Sequence, residues 1–445
     1  MWQCKPADCA PQEVPLTVKS TPIQTYDCII IGAGASGLLA ASLAETPPGW
    51  RGLILEATGQ PGTKLLMSGG GRCNFTHAGS IKDFPAHYGE QGRKIRALLD
   101  RYNNEEYAEF LRRHGIDTVT EDDGRMFPAS GRASDIRDLL LSMAGQNQFR
   151  ILTESRVAGI LPEGASEQYN TSVYTVRTAD GRAFRTCRLI IATGGITYPK
   201  TGSDGSMFGV LERDLGLSVT PLRPSLQPIR VRDYPYGDLA GISLPDCAMT
   251  LETLAQATGT TGSSGRRKPS RTRGAILLTH RDLSGPAILN LSRYLDADTP
   301  QRLVLNWLPG RERAELQRML QNGLRNSRAE AATVVSERFG LPKRVCRKLA
   351  DRARGDSGDV SMRKLAELLT EDRFDVLPYE DRNGAMVTAG GIPLTEVDLK
   401  TLECLRWSGL YIIGEALDVD GETGGYNLQW AYSSAAAAAE HMFAF

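Results

Sequence analysis

The chain has 445 residues, 41% hydrophobic and 23% charged, a globular composition long enough for roughly two or three domains. Lys+Arg and Asp+Glu both total 52, so no global charge draws the chain to nucleic acid or to an anionic membrane. The eight cysteines include no CxxC pair and no His/Cys cluster, which speaks against a metal site and for free thiols in a reducing cytoplasm.

Residues 1–24 are polar and dotted with proline, with no apolar core of a secretory signal, and read as a flexible tail. No apolar run reaches membrane-spanning length, so a soluble protein is expected. The first strong element, residues 26–31 (YDCIII), suits a strand buried on both faces of a parallel sheet. Gly32-Ala33-Gly34-Ala35-Ser36-Gly37 follows directly, then an Ala/Leu-rich helix over 38–45 and a second strand over 52–56. From about 81 to 145 the pattern is helical, broken by a turn at Asp122-Asp123-Gly124. Apolar–polar alternation from about 151 to 188, with an Asp180-Gly181 turn, suggests an antiparallel meander. Residues 189–195 read as another buried strand ending at glycines. Residues 221–305 suggest a small β-domain, in which 258–273, rich in Gly, Ser, Thr and Arg, is expected to form a mobile hairpin tip. Residues 309–371 have helical propensity. Residues 409–415 return to strand then turn, and a helix over 426–442 follows Gly424-Gly425.

The order strand, glycine turn, helix, strand is the context a dinucleotide motif requires. Gly32 permits the tight turn, Gly34 lets a phosphate approach the backbone, and Gly37 lets helix and strand pack closely. The helix start beyond Ala35 and Ser36 presents N–H groups and a positive dipole end to pyrophosphate. Glu56, at the end of the second strand, can accept hydrogen bonds from ribose hydroxyls and would repel a 2′-phosphate. The far end of the chain selects FAD over NAD. Gly414-Glu415, with Asp418 nearby, suits a carboxylate holding the ribityl chain. Gly425-Tyr426-Asn427 opens a helix whose N-terminus can face the flavin pyrimidine ring.

These segments resemble the bacterial aminoacetone-oxidase-like FAD-binding flavoproteins, a family that includes a bile-acid 3-dehydro-Δ4,6-reductase branch. The matching stretches are 29–37, 62–76 (GTKLLMSGGGRCNFT), 124–128 (GRMFP), 192–205 (ATGGITYPKTGSDG), 278–289 (LTHRDLSGPAIL) and 409–430. The resemblance implies an α/β fold: a Rossmann-type, glutathione-reductase-like FAD-binding domain with inserted β-barrel-like and helical domains. The expected boundaries are 25–205 and 385–445 for the FAD-binding domain, 206–308 and 372–384 for the β-barrel-like insert, and 309–371 for the helical insert. The chain departs from the family at the longer 258–273 segment and at Arg281-Asp282.

Within 68–74 the glycines Gly70 and Gly71 can line phosphate or a flavin edge, Arg72 can pair with pyrophosphate, and Asn74 can bond the flavin ring; a tight structural loop is the alternative. Lys64, Val157, Thr193, Gly194 and Gly195 complete the expected cofactor-binding set. Cys73 has no second cysteine nearby, so a dithiol relay is disfavoured against simple packing. His77 and His280 are candidate proton donors and Tyr426 an alternative acid. The basic run within 338–354 reads as a solvated helix face or as a capture site for an anionic substrate or RNA. Three functions stay open. The first is NADH- or NADPH-linked reduction of an unsaturated or carbonyl small molecule. The second is oxygen-dependent amine oxidation. The third is FAD-dependent RNA modification or binding, which the balanced charge disfavours.

Overall fold

A computed structural model describes residues 23–165, 172–254, 270–296, 298–325, 330–356, 358–378 and 381–443. The expected tail, apart from its last two residues, and most of the expected hairpin tip (255–269) lie outside them. Ser270–Leu278 is a strand, and its first four residues pair with Ala248–Leu251, so they belong to a ladder rather than a tip.

The centre is a five-stranded sheet made of Cys28–Ile31, Gly52–Leu55, Phe149–Leu152, Leu189–Ile191 and Leu410–Ile412. All pairs are parallel, and in chain order the strands lie 3-2-1-4-5, the Rossmann arrangement. Four of the strands are buried at every position, which is why they read as continuous apolar runs. Phe149–Leu152, one of the two edge strands, does not, because Arg150 is exposed there. The alternation that suggested a meander from 151 begins inside it; the meander itself is Val157–Ala165, Ser172–Thr178 and Ala183–Thr186.

Helix Ala35–Ser42 packs against Tyr426–Phe443, whose five consecutive alanines, 435–439, are buried and permit the close approach. Ser434 Oγ accepts from Gly414 N at 3.0 Å and Trp430 Nε1 donates to Gly414 O at 3.1 Å, tying this helix to the end of the last strand. The stretch expected to be helical also holds two short strands, Thr118–Thr120 and Arg125–Pro128, which with Thr76–His77 just before it form a small antiparallel sheet. Strands of two to four residues are too short for a period to register.

A second core gathers residues 229–374. Its five-stranded antiparallel sheet runs Leu283–Ser284, Ser270–Leu278, Ser243–Thr253, Gln301–Asn306, Asp372–Asp375. Helices Arg313–Arg325, Ala331–Phe339, Lys343–Arg352 and Met362–Glu371 share that core. Buried Asp372 is its polar centre: it accepts from Arg352 Nη1 and Nη2 at 2.7 and 2.8 Å, from Trp307 Nε1 at 3.3 Å and from the Tyr236 hydroxyl. The first core draws on residues 26–217 and 392–443, and a two-stranded ladder of Thr220–Ser225 with Val387–Gly391 joins the two.

Candidate functional site

Strand order reverses between Cys28–Ile31 and Leu189–Ile191, and beyond their carboxyl ends lies the crevice where open α/β sheets bind ligands. A cavity of about 1020 Å³ occupies it, at the upper end of the ~300–1,000 Å³ typical of small-ligand sites. The glycine turn forms its floor. A Cβ at Gly32 (φ +104°) would lie 2.5 Å from Ala192 O, and one at Gly37 would lie 2.0 Å from Gly32 O. Gly34 lines the cavity and a Cβ there would meet nothing within 4 Å, leaving room for a group to approach the backbone.

Glu56 is buried beside this turn. Its Oε2 accepts from Ala33 N at 2.9 Å, and its Oε1 accepts from Thr58 N and Thr58 Oγ1, both at 2.8 Å. A carboxylate has about four lone-pair directions, so one on Oε2 is left for a hydroxyl. Val157, Thr193, Gly194 and Gly195 continue the wall. Lys64 Nζ donates to Glu415 Oε2 at 2.7 Å and to Thr197 Oγ1 at 2.9 Å, while Thr388 N donates to Glu415 Oε1 at 2.7 Å.

At the other end, Gly425 (φ +101°), Tyr426 and Asn427 open the C-terminal helix on the cavity, which Gly70 and Asn74 also line. Asn427 also latches its own loop, accepting from Gly421 N at 2.8 Å and donating to Gly421 O at 2.9 Å. Asn74 Oδ1 and Ser203 Oγ, both on cavity-lining residues, are buried without a hydrogen-bond partner among the described residues. Such atoms call for a bound polar group.

Six of the expected residues do not line the cavity. Gly37 and Gly414 serve packing; a Cβ on Gly414 would meet Ser36 Oγ at 2.5 Å. Gly71 lies beyond the wall, and Arg72 pairs with Glu121 at 2.6 Å over the Phe127 ring. Asp418 accepts from Gly390 N at 3.1 Å. His280 belongs to the inserted sheet's turn, where its carbonyl faces Gly237. Cys73 is fully buried, and burial pushes its thiol up to about 12, the opposite of a reactive thiolate.

His77 does line the cavity, but both of its ring nitrogens face backbone carbonyls, Ala78 O at 2.6 Å and Asp123 O at 2.9 Å. Its ring stacks on Tyr426 at 5.3 Å, and on the same tyrosine stacks His87 at 4.0 Å. Burial, then the Glu422 carboxylate, raises the Tyr426 phenol above its ordinary range. His87 Nδ1 lies 2.8 Å from Glu422 Oε2, and both residues line the cavity. Sequence reasoning missed this pair. The two are 335 positions apart; His87 lies outside the matching stretches, and Glu422, though inside 409–430, has no partner there to mark it. The remaining wall is apolar, with Leu226, Leu277, Leu289, Met386 and Val387 reaching in beside the inserted sheet.

A 3-2-1-4-5 parallel sheet, a Gly32–Gly37 turn, an acid ending the second strand and a late helix aimed into the same crevice define a Rossmann-type flavoenzyme. The donors and acceptors fit FAD: Glu56 for ribose, the open Gly34 backbone for pyrophosphate, and the unpaired Asn74 and Ser203 atoms for further polar groups. The protein is an FAD-dependent oxidoreductase, and it belongs to the family described as HI0933-like protein Rossmann domain, which matches residues 26–441.

Among curated relatives, it is 31% identical to the ribosomal RNA dihydrouridine synthase of Escherichia coli over 95% of this chain and 99% of that protein. It is 30% identical to the 3-dehydro-bile acid delta(4,6)-reductase of Clostridium scindens, over 91% of this chain and 96% of that one. The solved structure of 3-ketosteroid delta1-dehydrogenase from Sterolibacterium denitrificans shares the fold, with a TM-score of 0.50 at 12% identity, covering 95% of this chain and 100% of that one. No helix among the described residues is long and apolar enough to cross a membrane.

Proposed function

We propose that this protein reduces a carbon–carbon double bond conjugated to a carbonyl, with NADH or NADPH as the source of electrons. The carrying observation is the continuity of one cavity from the Gly34 crevice to a wall of Leu277, Leu289 and Met386, with the polar His87–Glu422 pair opening on the same space. A flat apolar substrate can lie on that wall while its carbonyl end stays near the polar pair. The name of the Clostridium scindens relative describes such a reduction, on a bile-acid skeleton. Bound FAD would supply the two electrons and one hydrogen that the double bond takes up. The chain's own contribution is to hold the ring edge at Asn74 and the start of helix Tyr426–Phe443, and to exclude water with the apolar wall.

The test is anaerobic. Holoprotein is mixed with NADH or NADPH and the loss of flavin absorbance followed; the reduced protein is then mixed with a 4-en-3-one steroid and with its saturated 3-ketone. Recovery of absorbance with the enone alone is expected. No recovery with any conjugated enone rejects the reading.

A second reading keeps the chemistry and changes the substrate. The name of the Escherichia coli relative favours a uracil base in ribosomal RNA, whose ring double bond is likewise conjugated to a carbonyl. Base-level mass spectrometry of ribosomal RNA incubated with the reduced protein separates the two, because only this reading yields dihydrouridine.

A further inference from the structure

His87 is held from three sides. Its Nδ1 meets Glu422 Oε2 at 2.8 Å, its ring lies 4.0 Å from Tyr426 with 15° between the planes, and its carbonyl accepts from Glu422 N and Arg293 Nη1, each at 3.0 Å. Arg293 is itself buried and bonded to Asp420 Oδ2 at 2.9 Å and Asp420 O at 2.7 Å. Glu422 and Tyr426 thus face the imidazole, while Arg293, with Asp420 bonded to it, holds the backbone of the same residue. With Nδ1 committed, Nε2 is the free ring nitrogen: it has no partner among the described residues, and the side chain is one-third exposed on the cavity wall. A nitrogen whose partner nitrogen is oriented by a carboxylate is the arrangement of a positioned general acid or base. His77, on the other face of Tyr426, lacks it because both of its nitrogens are occupied.

We propose that His87 is the proton donor of the reduction and that Glu422 is its positioning residue. The inference rests on the ene-reduction reading. As the carbon distal to the carbonyl gains its hydrogen, the π electrons move toward the carbonyl. The Nε2–H bond breaks and a new C–H bond forms at the carbon next to the carbonyl. Solvent returns the proton to the imidazole, and the two electrons added to the substrate originate in the NADH or NADPH consumed.

The experiment uses the full-length, FAD-loaded protein and the H87Q, H87N and E422Q variants. Each is reduced with dithionite and reoxidised anaerobically, in separate runs, by a 4-en-3-one steroid and by ferricyanide, which takes electrons without protonation at carbon. In the His87 variants the enone rate should fall by about 10²–10⁴-fold, the usual contribution of a general acid, with the ferricyanide rate and FAD retention unchanged. E422Q should lower the enone rate less and alter its pH profile, which a merely structural role would not do. Diethylpyrocarbonate, which acylates open imidazole nitrogens, should label His87 in the wild-type protein, and a saturated 3-keto steroid should slow the labelling. An H87Q or H87N enone rate within about threefold of wild type overturns the assignment while ene reduction stands. Absence of label at His87 overturns it without reference to any variant. Failure of the wild-type protein itself to react with enones rejects the underlying reading instead.

Discussion

A methyl group added at Gly34 meets nothing within 4 Å, whereas one added at Gly37 falls 2.0 Å from Gly32 O. The two substitutions should therefore part company. Gly34→Ala is expected to leave the melting temperature of the cofactor-free protein within about 2 °C of wild type, because no contact is strained. It should weaken FAD binding at least tenfold by projecting into the phosphate path. Gly37→Ala should lower the melting temperature itself, because helix and strand must separate. Differential scanning fluorimetry with and without FAD, beside a fluorescence titration, reads both. The buried thiols act through protonation. Burial pushes Cys73 and Cys247 up to about 12 and Cys346 to about 11, against about 8.5 in an unfolded chain. A raised folded value means the contribution is fully present below the unfolded value and is lost as pH rises toward 11–12. Each thiol should remove about 1.4 kcal/mol of stability per pH unit above ~9. Urea midpoints measured from pH 7.5 to 10.5 should fall accordingly, and less steeply in Cys73→Ala.

At the scale of elements, the inserted sheet and its four helices are keyed by one acid. Asp372, on the last strand, meets Arg352 from helix Lys343–Arg352, Tyr236 from the preceding loop and Trp307 beyond strand Gln301–Asn306. Removing one partner of a buried charged pair leaves the other uncompensated, at a cost of about 3–5 kcal/mol. Asp372→Ala should thus abolish hydrogen-exchange protection across residues 229–374 while the parallel sheet stays protected, since the two parts have separate hydrophobic cores. Equal loss of protection in both parts would show that they unfold as one.

Over the whole molecule, the cavity has the glycine turn and the C-terminal helix on one side and, on the other, Leu277 of the inserted sheet with Leu289 of a small separate cluster formed with Leu226 and Val387. On the proposed reading cofactor and substrate share this one space, and packing between the two parts sets its width. The residues that were legible beforehand follow from this division. Gly32, Gly34, Glu56, Gly425 and Tyr426 belong to contiguous runs whose backbone conformation and polarity are local matters. His87 and the Leu226–Met386 wall had no such signal, and the role of Glu422 was hidden because it comes through a histidine 335 positions away.

By itself, the sequence determined that a parallel sheet would carry a dinucleotide turn, since continuous apolar runs and glycine spacing act over a few residues through burial and backbone sterics. It also marked Glu56 and the start of the late helix as site residues, and both line the cavity. Only the tertiary structure decided that Arg72 turns away to Glu121, that Asp418 braces the end of strand Val387–Gly391, and that Phe149–Leu152 closes the sheet edge. The same holds for the cavity-lining imidazole left with an open nitrogen, which is His87 and not His77. A side chain's chemistry at such a site is set by which groups saturate its hydrogen bonds, and those groups come from segments that only folding brings together.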